Sequence, residues 1–172
     1  MDLRSEILAE HSRAQTLRIA AWIGHDASRF NQLMQLFLQD EYRVVQRAAW
    51  VVRLVADKHP LLIAPHLPAM VARMEEKGIP VAVKRNVLGV LQDVSIPEAL
   101  HGPVMNCCFA FLEDPLETIA VKVFSMTVLA HLAKEYPDIK NEIRLLIEEQ
   151  LESNPTPGIR SKARKVLKEI QN

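Results

Sequence analysis

Two interleaved series of chain breaks, both recurring at nearly the same interval, constrain this sequence more than any other feature. Pro60, Pro97 and Pro137 fall 37 and 40 residues apart, each just after an amphipathic stretch ends. Between them lie Asp40-Glu41, Gly78-Ile79-Pro80, Asp114-Pro115 and Asn154-Pro155-Thr156-Pro157-Gly158, again about every 35 to 41 residues. The stretches between breaks carry apolar residues at helical spacing, and only 5 of 172 residues are glycine. Apolar residues that return every 3.6 positions form one face of a helix. The short run Leu61-Leu62-Ile63 is flanked by Pro60 and Pro65 and makes a poor strand. Two series of breaks at one period define a two-helix repeat.

The expected order is five antiparallel helix pairs: 2–10 with 12–24, 28–39 with 41–58, 60–76 with 80–94, 97–113 with 115–135, and 137–152 with 157–170. One amphipathic pair cannot bury its apolar face alone, so neighbouring pairs must stack. The fold class is therefore all-α, a right-handed α-α superhelix, with residues 1–172 as a single repeat domain. Helix-start chemistry is explicit at several breaks. Asp114 supplies an acceptor, Pro115 suits the first helical position, and Glu117 completes a capping box. Ser95-Ile96-Pro97-Glu98 and Thr156-Pro157 repeat the same logic.

The stretch Asp40-Glu41-Tyr42-Arg43-Val44-Val45-Gln46-Arg47-Ala48-Ala49-Trp50-Val51-Val52 resembles the turn and second helix of a HEAT repeat. Asp40 takes the turn position, with Val45, Arg47 and the small pair Ala48-Ala49 behind it, the Arg displaced by one. Leu17-Arg18-Ile19-Ala20-Ala21-Trp22 echoes Gln46-Arg47-Ala48-Ala49-Trp50, while around Asp114, Ile119 and Val123 Lys122 replaces a small residue. The resemblance covers essentially the whole chain, though its motif is degenerate and driven by packing. More narrowly, the sequence is similar to short bacterial HEAT-like chains, some of which carry the label adenylosuccinate lyase. The lyase family's Ser-rich loop with a Met-Pro-x-Lys-x-Asn core is nowhere in this sequence, so a lyase activity is not expected.

Charge and composition exclude several function classes. Twenty-one Lys and Arg balance 21 Asp and Glu, so the chain lacks the basic footprint of a general nucleic-acid or anionic-membrane binder. Two Cys, at 107 and 108, exclude a disulfide framework and a four-thiolate zinc site, and both read as reduced core thiols. The first ten residues interleave charge with apolar residues rather than forming a secretory signal, so a cytoplasmic location is expected. The six His, at 11, 25, 59, 66, 101 and 131, include no i,i+4 pair, so each reads as a surface or capping residue rather than a metal ligand. No Gly-rich phosphate loop, His-Glu-x-x-His or Gly-x-Ser-x-Gly elbow occurs. No catalytic residue, cofactor or metal is expected.

The two Trp are the most informative positions. On a wheel of residues 41–58, Val44, Val45, Ala48, Ala49, Val51, Val52, Val55 and Ala56 share one face. Arg43, Gln46, Trp50, Arg53 and Asp57 oppose them. Trp50 thus falls in a polar stripe. In 12–24, Ala14, Leu17, Ala20 and Ile23 group together, with Gln15, Arg18 and Trp22 opposed. In the HEAT family the second helices line the concave surface. The resemblance therefore implies an aromatic ridge of Trp22 and Trp50 edged by Arg18, Arg43 and Arg53; the alternative is that each Trp packs between repeats. Residues 120–132 are apolar almost all round and read as core. Residues 157–170 set Ile159, Ala163, Val166, Leu167 and Ile170 against Arg160, Lys162, Arg164, Lys165 and Lys168. That pattern suits a polar outer cap, or an anion-binding patch, unless Glu142, Glu148, Glu149 and Glu152 neutralise it.

The expected function is a non-catalytic scaffold that binds a protein or peptide partner on the concave face, as a monomer or weak homo-oligomer. Trp22 and Trp50 anchor the partner, and Arg18, Arg43 and Arg53 orient it. The alternative is nucleic-acid binding in the manner of HEAT-like alkylpurine DNA glycosylases, which hold DNA with concave basic and aromatic residues. Arg43, Arg47, Arg53, Trp22 and Trp50 loosely match that arrangement, but overall neutrality and the lack of an alignable catalytic carboxylate count against it.

Overall fold

The computed structural model describes residues 1–171, and among them every regular element is helical. The chain divides into two compact units, Met1–Val90 and Leu91 onward. The first holds α1 (Leu3–Ala9), α2 (Arg13–Ile23), α3 (Ala27–Gln39), α4 (Tyr42–Lys58), α5 (Pro60–Ile63), α6 (Leu67–Glu75) and nearly all of α7 (Val81–Leu91). The second holds α8 (Glu98–Glu113), α9 (Ile119–Leu132), α10 (Lys140–Glu152) and α11 (Pro157–Gln171). The pairs expected from the break pattern are thus present, with two local departures.

The helix expected over 60–76 is interrupted. Its first turn is α5, the segment Ala64–His66 is a 3-10 turn, and α6 follows. Pro65 and Pro68 each lack the amide that a continuous α-helix requires, and the tighter turn accommodates them. The helix expected from 115 instead begins at Ile119, with Thr118 as its N-cap. Asp114 ends α8, and its carboxylate accepts the Leu116 amide at 2.9 Å, closing a local turn. Glu117 spends its side chain on the neighbouring Thr118 amide, also at 2.9 Å, so no capping box forms. Ser95 does not cap α8 either; Pro97 holds the N-cap position without a side-chain bond. Thr156 does cap α11, its hydroxyl accepting the Ile159 amide at 3.3 Å.

Elsewhere the helix ends follow their local chemistry. Asp2, Ser12 and Asp26 accept amides of the first turns of α1, α2 and α3. Each such bond satisfies a donor that the helix itself leaves open. Gly24 terminates α2 at φ +51°, a conformation that a Cβ would strain.

The core forms where the wheels place it in α4 and α11. All eight residues of the apolar face of α4 are buried, from Val44 to Ala56. Ile159, Ala163, Val166 and Ile170 are buried in α11, with Leu167 half-buried. The nearly all-apolar α9 is core, packed against α8, α10 and α11. Cys107 and Cys108 are buried thiols outside any disulfide, and burial pushes the Cys108 thiol well above its ordinary value.

The wheel of α2 needs correction. Leu17 is 39% exposed and Ala14 is exposed, whereas Gln15 and Thr16 are buried beside Ile19, Ala20 and Ile23. α2 packs on both α1 and α4, which enclose two of its polar side chains, and each has a partner. Gln15 Nε2 donates to the Glu6 carbonyl at 2.7 Å, and Thr16 Oγ1 donates to the Ser12 carbonyl at 2.8 Å. Buried polar groups are tolerated when bonded in this way. His101 corrects the surface reading of the histidines. It is buried in α8, with Nδ1 at 2.9 Å from the Tyr136 hydroxyl and Nε2 at 2.7 Å from the Ile96 carbonyl.

One device recurs between neighbouring pairs: a polar side chain reaches back to the open carbonyls at the end of an earlier helix. Arg47 Nη1 on α4 donates to the Leu8 carbonyl at 2.8 Å and the Ile7 carbonyl at 3.3 Å, at the end of α1. Arg73 Nε on α6 donates to the Leu38 carbonyl of α3 at 2.9 Å. Gln150 Nε2 on α10 donates to the Leu112 carbonyl of α8 at 3.1 Å. These bonds span 35 to 40 residues, one repeat. Each satisfies an acceptor that a helix leaves open, and the Arg charge also opposes the negative helix end.

Candidate partner-binding surface

Within the first unit, α2 and α4 turn their outward faces to solvent. On α4 that face presents Arg43, Gln46, Trp50 and Asp57, directly opposite eight buried residues. Trp50 is 39% exposed, a large value for the bulkiest side chain of a well-buried helix. The His11 ring meets its edge, with centroids 5.8 Å apart and planes at 69°. On α2 the exposed residues are Arg13, Ala14, Leu17, Arg18 and Ala21. Ala14, Leu17 and Ala21 lie at i, i+3 and i+7, an apolar stripe open to solvent.

The two Trp are held differently. Trp22 is half-buried, with the Arg29 guanidinium 4.5 Å above its ring, while Arg29 Nη1 also donates to the Trp22 carbonyl at 2.6 Å. Cation and carbonyl together fix the ring at the end of α2. Trp50 lacks such a clamp and keeps more of its surface free.

The flanking arginines separate as well. Arg18 is exposed but paired with Glu6, and its Nε donates to Gln15 Oε1 at 3.1 Å. Arg43 is exposed at the start of α4. Arg53 is half-buried and lies across α7: a Cβ added at Gly89 would sit 2.8 Å from Arg53 Nη1. Gly89 therefore makes room for the guanidinium, and Arg53 joins α4 to α7. Arg47 faces the end of α1 instead.

Sequence reasoning missed Leu17, Ala14, His11 and Arg29 as parts of this surface. The burial of Gln15 displaces Leu17 outward, and no periodicity signal shows that exchange. Two surface hollows, of about 590 and 310 Å³, lie on the α3 side, where Gln35 and Gln39 line both. Beside the α2 and α4 residues lies a cleft of about 10 Å³ between His11, Gln15 and Arg47. The exposed side chains Leu17, Arg18, Arg43 and Trp50 form a relief on this face.

Comparison with known families matches a HEAT repeat domain over residues 3–170. The chain belongs to the HEAT repeat domain family. No curated protein and no solved structure matches the chain. In this HEAT repeat chain the outward faces of α2 and α4 belong to the second helices of the first two pairs. The Arg47, Arg73 and Gln150 bonds all lie within the matched span and join positions 35 to 40 residues apart. No helix among the described residues is long and apolar enough to cross a membrane. Among the same residues, no group of three or more His, Cys, Asp or Glu is placed to hold a metal ion.

Proposed function

We propose that this HEAT repeat protein is a non-catalytic scaffold that binds a protein or peptide segment on the outward face of α2 and α4. Trp50 and Trp22 are the anchors, Leu17 and Ala21 extend the apolar contact, and Arg18 and Arg43 orient the partner. Arg53 holds the α7 side of the face in place. The observation that carries this reading is Trp50: an open indole on a helix whose opposite side is completely buried. Rigid aromatic and forked guanidinium groups dominate binding energy at protein interfaces, because they gain large contacts while losing little freedom. A helical partner would set its own apolar stripe against Ala14, Leu17 and Ala21.

The test is affinity capture with the wild-type protein and a Trp22→Ala/Trp50→Ala variant whose circular dichroism remains helical. The variant should lose the specific partner, and affinity for that purified partner should fall by about 30-fold or more per anchoring Trp. If every partner stays bound to the folded double variant with unchanged affinity, this face is not the binding site.

A further inference from the structure

The second unit carries a different surface. α10 and α11 lie side by side, and both pack against α9, so their free faces point away from it together. The free face of α10 is acidic: Glu142, Leu145, Glu149 and Glu152 are exposed at i, i+3, i+7 and i+10. At its middle stands Leu145, 52% exposed. The free face of α11 is basic: Arg160, Arg164 and Lys168 follow one another at i, i+4 and i+8, with Lys165 beside them.

These charges are not spent on each other. Glu148, the half-buried acid of α10, pairs with Arg144 of its own helix, and the α11 acid Glu169 pairs with Lys134. Among the described residues, Glu142, Glu149 and Glu152 have no side-chain partner, nor have Arg160, Arg164, Lys165 and Lys168. Like charges at i,i+4 repel by a few tenths of a kcal/mol per pair, so α11 carries a stripe that weakens its own helix until something neutralises it. A flat polyanion such as a membrane or duplex is a poor match, because the acidic stripe lies immediately beside the basic one.

We propose that this face is a homodimer interface, its occupant being the same face of a second copy. A twofold axis running along the hairpin, between the two helices, sets α10 over the partner subunit's α11 and α11 over its α10. Carboxylates then meet cations in both halves, and an interface built this way is self-complementary by symmetry. An axis running across the hairpin would set like charge on like. Each Leu145 meets the aliphatic stems of the opposing basic stripe, which cover apolar surface while their charged ends reach the carboxylates. Two adjacent helices about 20 Å long and about 20 Å wide together cover roughly 400 Å² per copy. That is below the ~800 Å² per partner of a standard stable interface, so the dimer is weak, concentration-dependent and sensitive to salt.

Sedimentation equilibrium of the full chain from about 10 to about 300 µM tests this, at about 20 mM and about 500 mM salt. Two charge-reversed proteins accompany it, Glu142→Lys/Glu149→Lys and Arg164→Glu/Lys168→Glu, each checked for native helicity by circular dichroism. The wild type should dimerise at low salt and dissociate at high salt. Each reversed protein alone should associate more weakly by on the order of tenfold or more. A mixture of the two should form a one-to-one heterodimer, since both halves of the interface regain opposite charge. Leu145→Ala, which leaves every charge in place and loses the apolar centre, should also weaken the dimer, and an unchanged affinity would count against the proposed facing of the helices. A wild type monomeric throughout the range, reversed proteins that dimerise as well as the wild type, or a mixture that stays monomeric would each overturn the proposal. None of these results bears on the α2 and α4 face, whose residues all lie in the other unit.

Discussion

Lys122 is only 6% exposed, and its ammonium donates to Gln150 Oε1 at 3.1 Å. The same Gln150 amide donates from Nε2 to the Leu112 carbonyl, so one side chain serves a buried cation and a helix end together. Gln150→Leu keeps the volume and removes both services. Loss of a hydrogen bond to a charged group costs about 1.5–3 kcal/mol, and an unpaired carbonyl about 1–3 kcal/mol. Gln150 is half-buried, so water relieves part of this, and the expected loss is about 3 kcal/mol. For a chain of this size that lowers Tm by roughly 6–12 °C. Adding Lys122→Met removes the cation that needs a partner and leaves only the carbonyl exposed to cost. The double variant should therefore recover about half of the loss, giving a coupling of at least ~1.5 kcal/mol in a double-mutant cycle. Urea unfolding followed by far-ultraviolet circular dichroism measures all four corners. A Gln150→Leu cost below about 1 kcal/mol, or a double variant as unstable as the two single changes added, would refute the claim that this amide sustains the buried lysine.

Arg47→Met should cost about 1–3 kcal/mol by freeing the Ile7 and Leu8 carbonyls, and hydrogen exchange should show α1 opening before α4 does. His66 is held below its ordinary value of 6.5 by partial burial beside Phe30. The unfolded chain therefore binds the proton more readily, so the stability His66 contributes is present above pH 6.5 and lost as pH falls below it. His66→Gln should flatten that part of the stability–pH curve, as read by urea midpoints between about pH 5 and 8; an unchanged slope would contradict the burial argument. Gly89→Ala gains helix propensity of about 1 kcal/mol but pushes on Arg53, so its net effect should be small. In an Arg53→Ala background the same change should stabilise by close to the full ~1 kcal/mol, as thermal melts would show.

What was legible in the sequence is what depends on period and on neighbouring residues. The burial of α4 from Val44 to Ala56 follows from its wheel alone, and the Thr156 cap follows from a hydroxyl placed before Pro157. The sequence puts the start of α9 too early because Asp114 and Glu117 satisfy amides in a turn as well as in a helix, and nothing local decides between the two. The exchange of Gln15 for Leu17 was invisible for a different reason: Gln15 is buried because Glu6, nine residues earlier, accepts its amide. The roles of Arg47, Arg73 and Gln150 depend on helix ends one repeat away, which a reading of single helices never brings together. On the proposed binding face the sequence marked Trp50 correctly as lying opposite the buried side of its helix, but could not foresee that Arg29 covers Trp22 or that Arg53 lies against Gly89.

The bonds that tie one pair to the next reach back 35 to 40 residues, and this has a consequence during synthesis. A ribosome adds about 5–20 residues per second, so each helix end waits only a few seconds for the side chain that will satisfy it. Arg47 can close on α1, and Arg73 on α3, while the segment that becomes α11 has yet to be made. Within each unit the helices can therefore be assembled in the order in which they are written, with Arg47, Arg73 and Gln150 each closing the open end of a helix made before it.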